Sequence, residues 1–345
     1  MQQDKGKFTQ QEIQSQPATW METLKYLKRD WTGKLPILQN YDQVIVTGCG
    51  STYYFSIWAS RFLQEKTGVA CAALPSSEIW YSGESWLKPH RNTLLIAVSR
   101  SGLTTETLHA IEAYKDMNKG DAIAITCYED SPLAKMVSTA FVTTAGKEQS
   151  IAQTRSFTNM MWPIIFLSER NIEDSLVEQI GQSSRQMVEK YQSTAQQIGS
   201  DERLSKFFFL GNGPLFGLSQ EIMLKIKEMS LSHSEAFHFL EFRHGPMSLV
   251  NESALVVGFN NPRLMEFEYP VMHDMKALGG QTLAVGTYET APSFADHAFN
   301  IGMDVPSAWR YPMYLPLLQM IAYERSLARG LDPDNPENLK AVVEL

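Results

Sequence analysis

Short apolar runs alternate with segments of helical periodicity along most of the chain. The first set of runs is Gln43–Cys49 (QVIVTGC), Thr93–Ser99 (TLLIAVS), Asp121–Cys127 (DAIAITC) and Thr139–Ala145 (TAFVTTA). Between them, TYYFSIWASRFLQEKTG and TETLHAIEAYKDMNKG repeat apolar residues at three- and four-residue steps and end near glycine, the pattern of amphipathic helices. A second set follows: Lys206–Gly213 (KFFFLGNG), Ser253–Asn260 (SALVVGFN), Gln281–Glu289 (QTLAVGTYE) and His297–Met303 (HAFNIGM). Strands alternating with helices predict an α/β fold with doubly wound, mostly parallel sheets between helical layers. Both halves read strand, glycine turn, helix, strand, turn, helix, strand, so two α/β/α subdomains related by internal duplication are expected. The boundaries predicted are a helical segment over 1–35, a first subdomain over 36–185 and a second, with a C-terminal tail, over 186–345. The polar helical stretch from Asn171 to Asp201 carries the division.

Two turns in the first half hold the chemistry of an anion site. They are VIVTGCGST (Val44–Thr52) and LLIAVSRSGLTTET (Leu94–Thr107), each ending an apolar run and opening a helix. Ser99, Ser101 and Thr104 stand in S-x-S-G-x-T spacing. A strand that breaks there presents backbone N–H groups and hydroxyls at the positive end of a helix dipole, which suits a phosphate monoester. The same residues would also serve as ordinary helix caps.

In the second half, QEIMLKIKE (Gln220–Glu228) places Glu221, Lys225 and Glu228 at i, i+4 and i+7. On spacing alone this is a salt-bridged solvent face; on a partly buried face, a carboxylate there could move protons between adjacent carbons. His244, in EFRHGPMSLV, precedes a stiff Gly-Pro turn that would aim its imidazole.

Charge and composition narrow the class. The net charge of −8 argues against a nucleic-acid surface. Cys49, Cys71 and Cys127 lie far apart in or beside apolar runs, so buried thiols are expected rather than disulfides. The start MQQDKGKFTQQ is too polar for a leader, and YPMYLPLLQMIAYERSLARG is too interrupted to span a bilayer, so a cytoplasmic setting is expected. His233, Glu235, His238 and Glu241 fit no zinc spacing and read as loop. GNGPLFG lacks the spacing of a dinucleotide fingerprint. No metal or other cofactor is expected. Trp80, Tyr81 and Trp86 read as core or as a dimer surface, and His273 and His297 as ordinary surface or core histidines.

Taken together, GCGST, SRSGLTTET, AGKEQSIAQTRSFT (Ala145–Thr158), LKIKEMS, EFRHGP and the tail LPLLQMIAYERSLARGLDPDNPENLKAVVEL resemble the double sugar-isomerase (SIS) domain family. The chain is similar to the isomerase half of glucosamine-6-phosphate synthase and to stand-alone amino-sugar-phosphate deaminases and isomerases. The likeness runs from about Phe8 to the end of the chain. It implies that Ser51, Thr52, Ser99, Arg100, Ser101 and Thr104 hold the substrate phosphate. It implies Glu228 as the base that shuttles a proton between C1 and C2, Lys225 as its assistant, and Glu148 and the backbone near Ile151 as sugar-pocket wall. It also implies that His244 opens the sugar ring from the neighbouring subunit, which makes the active species at least a dimer.

Two departures stand out. Arg100 replaces the glutamine usual in the family, adding a cation that either meets phosphate or pairs with a carboxylate. Lys340, the candidate for a Schiff base, comes one residue early after Asn338-Leu339, and reads equally as a solvated tail lysine. No cysteine follows Met1, so hydrolysis of glutamine is not expected. The expected activity is isomerisation of an amino-sugar or ketose 6-phosphate, with or without ammonia release. The alternatives are a fructosamine-6-phosphate deglycase and a non-catalytic sugar-phosphate sensor, the latter disfavoured by the presence of Glu228 and His244 together.

Overall fold

The structure, a computed structural model, describes residues 5–88, 90–117 and 120–340. It opens on a long helix, α1 (Lys7–Trp31). The first sheet and its helices follow: β1 (Gln43–Gly48), α2 (Ser51–Thr67), β2 (Ala70–Pro75), α3 (Ser76–Trp86), β3 (Thr93–Val98), α4 (Thr105–Asp116), β4 (Ala122–Thr126), α5 (Pro132–Lys135) and β5 (Thr139–Val142). Helices α6 (Arg155–Glu169) and α7 (Asp174–Ser200) lead on to the second sheet. That region comprises β6 (Lys206–Leu210), α8 (Pro214–Ser230), β7 (His233–Phe237), α9 (Phe239–Phe242), β8 (Ala254–Asn260), α10 (Met265–Ala277), β9 (Gln281–Gly286), β10 (His297–Asn300) and α11 (Pro316–Ala328).

Both sheets have five parallel strands, in the orders β2-β1-β3-β4-β5 and β10-β9-β8-β6-β7. Read from the other edge, the second order is the first with each strand number raised by five. The duplication expected from the sequence is therefore present in the topology. Every residue of β3 and of β8 is buried, as all-apolar central strands of a doubly covered sheet should be.

Contacts divide the chain into two units. One holds the first sheet, with Ala18–Glu148 and Arg155–Glu178; the other holds the second sheet, with residues up to Pro17, Gln149–Thr154 and Gln179–Leu339. In the first unit, α6 packs on α2 through Phe55 and Phe157, whose rings meet edge to face at 5.5 Å. Trp20 and Trp162 do the same at 5.7 Å, and Trp20 also donates its indole N–H to Thr158 at 2.9 Å. In the second unit, Phe208, Phe239, Phe242, Met272 and Phe294 centre a buried cluster between the sheet and α10.

The structure corrects two readings of the sequence and narrows a third. His233–Phe237 is an edge strand, β7, and not a loop, and Phe239–Phe242 is a helical turn. Tyr81 is 70% exposed and Trp86 44% exposed, so neither is core. Cys127 is buried, but Cys49 and Cys71 are only half-buried; all three are free thiols.

Candidate functional site

The two turns of the first unit end β1 and β3, which are neighbours in the sheet. Their connections leave in opposite directions, β1 toward β2 and β3 toward β4, so both turns open at the point where the winding reverses. Ligands of doubly wound sheets bind at that reversal.

The Ser99–Thr104 turn is closed by its own hydroxyls. Ser99 Oγ lies 3.0 Å from Thr104 Oγ1 and accepts the Gly102 N–H at 3.1 Å, while Ser101 Oγ accepts the Leu103 N–H at 3.1 Å. The Arg100 carbonyl is anchored from β4 by Thr126 Oγ1 (3.1 Å) and the Cys127 N–H (3.0 Å). Gly102 has φ 65°, and a Cβ there would sit 2.4 Å from Ser131 Oγ, so only glycine fits. Three hydroxyls are thus gathered at the start of α4. Arg100 is buried and its guanidinium lies 3.4 Å from Glu148, whose other carboxylate oxygen accepts the Ser156 N–H. The carboxylate pairing left open by the sequence is therefore made.

In the first turn, Gly50 caps α2 at φ 55°, ψ −125°. The Thr52 hydroxyl bonds the backbone of Cys49 twice, to its carbonyl at 2.8 Å and from its N–H at 2.9 Å. Thr52 thereby shapes the turn, with Ser51 buried beside it. Burial raises the Cys49 thiol pKa, and pushes that of Cys127 up to about 12.

In the second unit, α8 carries the charged triad. Glu221 and Lys225 are fully buried, so the solvent-face reading fails. Lys225 Nζ is 3.3 Å from Glu221 and hydrogen bonds Glu228. Burial works against its charge, but the two carboxylates outweigh that and hold its pKa above the usual value. Of the three side chains, Glu228 alone reaches solvent, at 18% exposure. His244 is exposed, on the turn after α9, where Gly245 takes φ 121°. No hydrogen bond or ion pair among the described residues joins it to the triad. Ile151 donates its N–H to the Asp334 carbonyl at 3.2 Å, and Lys340 is exposed.

Residues 37–167 match the model of the SIS domain. The chain carries a SIS domain. Both the Gly48–Thr52 turn and the Ser99–Thr104 turn fall inside it. The chain is also homologous to the isomerase part of glutamine–fructose-6-phosphate aminotransferases. It is 28% identical to that of Sulfurisphaera tokodaii over 342 residues, which cover 97% of this chain and 56% of the relative. It therefore spans little more than half the length of that relative. Among solved structures, it resembles glucosamine-6-phosphate deaminase of Thermotoga maritima, with TM-score 0.81, 27% identity and coverage of 98% and 99% of the two chains. A Clostridium novyi NT protein assigned as a tagatose-6-phosphate ketose/aldose isomerase matches with TM-score 0.88 and 25% identity, over 99% of this chain and 94% of that one.

One cluster escaped the sequence reading. Where β6 and β8 end, at the winding reversal of the second sheet, Gly213 repeats the conformation of Gly50 in the SIS domain, at φ 55°, ψ −132°. The hydroxyls are replaced there by a buried acid. Glu268 accepts from Asn212 Nδ2 at 3.0 Å and from the Asn261 N–H at 2.8 Å, and burial pushes its pKa up to about 7. The only signals in the sequence were the asparagines of GNG and FNN after two strands.

Proposed function

We propose that the chain is an aldose–ketose isomerase of a hexosamine 6-phosphate that releases ammonia. The observation that carries this reading is the triad on α8: a fully buried Lys225 between two carboxylates, of which only Glu228 reaches solvent. Lys225 hydrogen bonds Glu228 and fixes its carboxylate in place, as a positioned proton-transferring base requires. The Ser99–Thr104 turn takes the phosphate on its hydroxyls and on the N-terminus of α4, while Arg100 sets the position of Glu148 beside the sugar. His244 opens the ring, acting in the neighbouring subunit's site. Glu228 then moves the C2 proton to C1, converting the open-chain 2-amino aldose to a C2 imine. Water adds to the imine, ammonia leaves and the ketose phosphate remains. We also assign residues 36–185 and 186–345 as two SIS subdomains of one dimeric enzyme. The similarity to the Thermotoga deaminase supports ammonia release.

Plain aldose–ketose isomerisation is a second reading, favoured by the match to the Clostridium protein. Incubation with glucosamine 6-phosphate and, separately, galactosamine 6-phosphate, assaying ammonia and ketose phosphate together, separates the two. Equimolar ammonia and ketose are expected, and the faster sugar names the configuration. Absence of ammonia from both, with turnover of an unaminated hexose phosphate, would establish the second reading; turnover of fructosamine 6-phosphate alone would establish deglycation. Borohydride trapping on the ketose phosphate reads whether Lys340 forms a Schiff base.

A further inference from the structure

In the second unit, the N-terminal half of α1 meets α7 and α11 around a cleft of 310 Å³. Its walls are two matched pairs of glutamines. Gln10 and Gln14 stand one turn apart on α1, and Gln192 and Gln196 one turn apart on α7. Ile13, Met320 and Tyr323 make the floor, and Glu324 closes one side. None of the nine lining residues is a lysine or arginine. Among the described residues, neither the four amides nor the Glu324 carboxyl has a hydrogen-bond or ion-pair partner. Burial raises the pKa of Glu324.

The scaffold around the cleft is fixed. Gln16 Nε2 on α1 bonds Gln319 Oε1 on α11 at 2.8 Å, both buried, and the Thr9 N–H and hydroxyl bond Asp334, each at 2.7 Å. Gly199 lets α7 close on α11, since a Cβ there would stand 2.6 Å from the Ile321 carbonyl. The cleft is thus lined from rigid helices. A second cleft of the same volume differs in chemistry: four of its five charged lining residues are paired with one another, Arg203 with Asp201 at 2.7 Å and Lys276 with Asp296 at 2.8 Å, and Glu252 is the fifth.

Four amides supply donors and acceptors in pairs, which matches the vicinal hydroxyls of a sugar. The apolar floor matches a pyranose C–H face, and an unpartnered carboxylate matches an ammonium. With no cation in the lining and the Glu324 carboxyl beside it, the cleft disfavours a phosphate ester. The volume, near the lower end for ligand pockets, limits the occupant to about one ring. We propose that this cleft is a binding site for an unphosphorylated amino sugar, with its ammonium on Glu324 and its hydroxyls on Gln10, Gln14, Gln192 and Gln196. The assignment comes from the lining and does not depend on the reaction proposed above.

Calorimetry and saturation-transfer NMR on the full chain, with D-glucosamine and D-glucose as probes, test it. Glucosamine is expected to bind more tightly than glucose. Glu324→Gln should weaken glucosamine by roughly tenfold, the scale of one charge-assisted hydrogen bond, and leave glucose unchanged. Gln192→Trp, which fills an exposed cleft without touching the core, should abolish both. Turnover of glucosamine 6-phosphate in the absence of added glucosamine should be unchanged in both variants. No glucosamine binding up to roughly 10 mM, a contact worth under about 3 kcal/mol, would overturn the proposal. So would binding that survives Gln192→Trp, or binding lost in a Ser101→Ala variant, which would place glucosamine on the phosphate turn. A chain that binds glucosamine here but turns over no sugar phosphate would sink the proposed reaction and leave this site standing.

Discussion

Glu221 and Glu228 share Lys225 but differ in contact with solvent, with side chains 0% and 18% exposed. Only the second is open to solvent, as the proposed base must be. Glu228→Gln is therefore expected to lower kcat by roughly 10²–10⁴-fold with little change in KM, the range for loss of a general base. Unchanged turnover would remove Glu228 from the mechanism. Glu268 makes a different prediction, about stability. Its folded-state pKa is about 7, against an ordinary value of 4.5. The native state then holds a proton that the unfolded chain has released. The resulting stabilisation is complete below about pH 4.5 and is lost as pH rises to about 7, a change of about 3 kcal/mol. Glu268→Gln, with Asn212 free to present its carbonyl instead of its amine, should flatten that slope. Melting temperatures of the two proteins should converge near pH 5, with the variant higher at pH 8.

The β3–α4 turn depends on one glycine for its shape. In Gly102→Ala the added methyl would meet both a positive φ and Ser131, so a loss of about 2 kcal/mol or more is expected. Phosphate affinity should fall with it, read by inorganic phosphate protection in a thermal melt. On α8 the vulnerable residue is Lys225. Lys225→Met leaves two carboxylates close together in a dry environment, at a cost of about 3–5 kcal/mol at pH 8. Acid should restore part of it as they protonate, and urea melts at pH 5 and pH 8 would show the difference. The elements hardest to read from the sequence were β2 (ACAALP) and β7 (HSEAF). Each is an edge strand in the corresponding place of its sheet. An edge strand is covered less completely, so it needs no continuous apolar run, and periodicity has little to detect.

For the whole molecule, the shared-site proposal has a direct test. If His244 serves the neighbouring subunit, then Glu228→Gln and His244→Ala proteins, each inactive alone, should regain activity when unfolded together and refolded. Random pairing gives half mixed dimers, each with one intact site, or about a quarter of wild-type activity. No recovery would mean that His244 acts within its own chain or not at all. The sequence by itself determined the two-sheet α/β plan, its duplication and the positions of the two Ser/Thr turns that open α2 and α4. These rest on local rules: apolar runs of strand length, helical periodicity, and glycine where the backbone must turn sharply. It also listed Glu221, Lys225 and Glu228 at helical spacing, but spacing is the same for a solvated face and a buried one. Only tertiary packing decided that Lys225 is dry and that Arg100 is paired with Glu148. The Glu268 cluster and the glutamine cleft were likewise out of reach, because burial and convergence depend on contacts between residues distant in the chain, which no local pattern encodes.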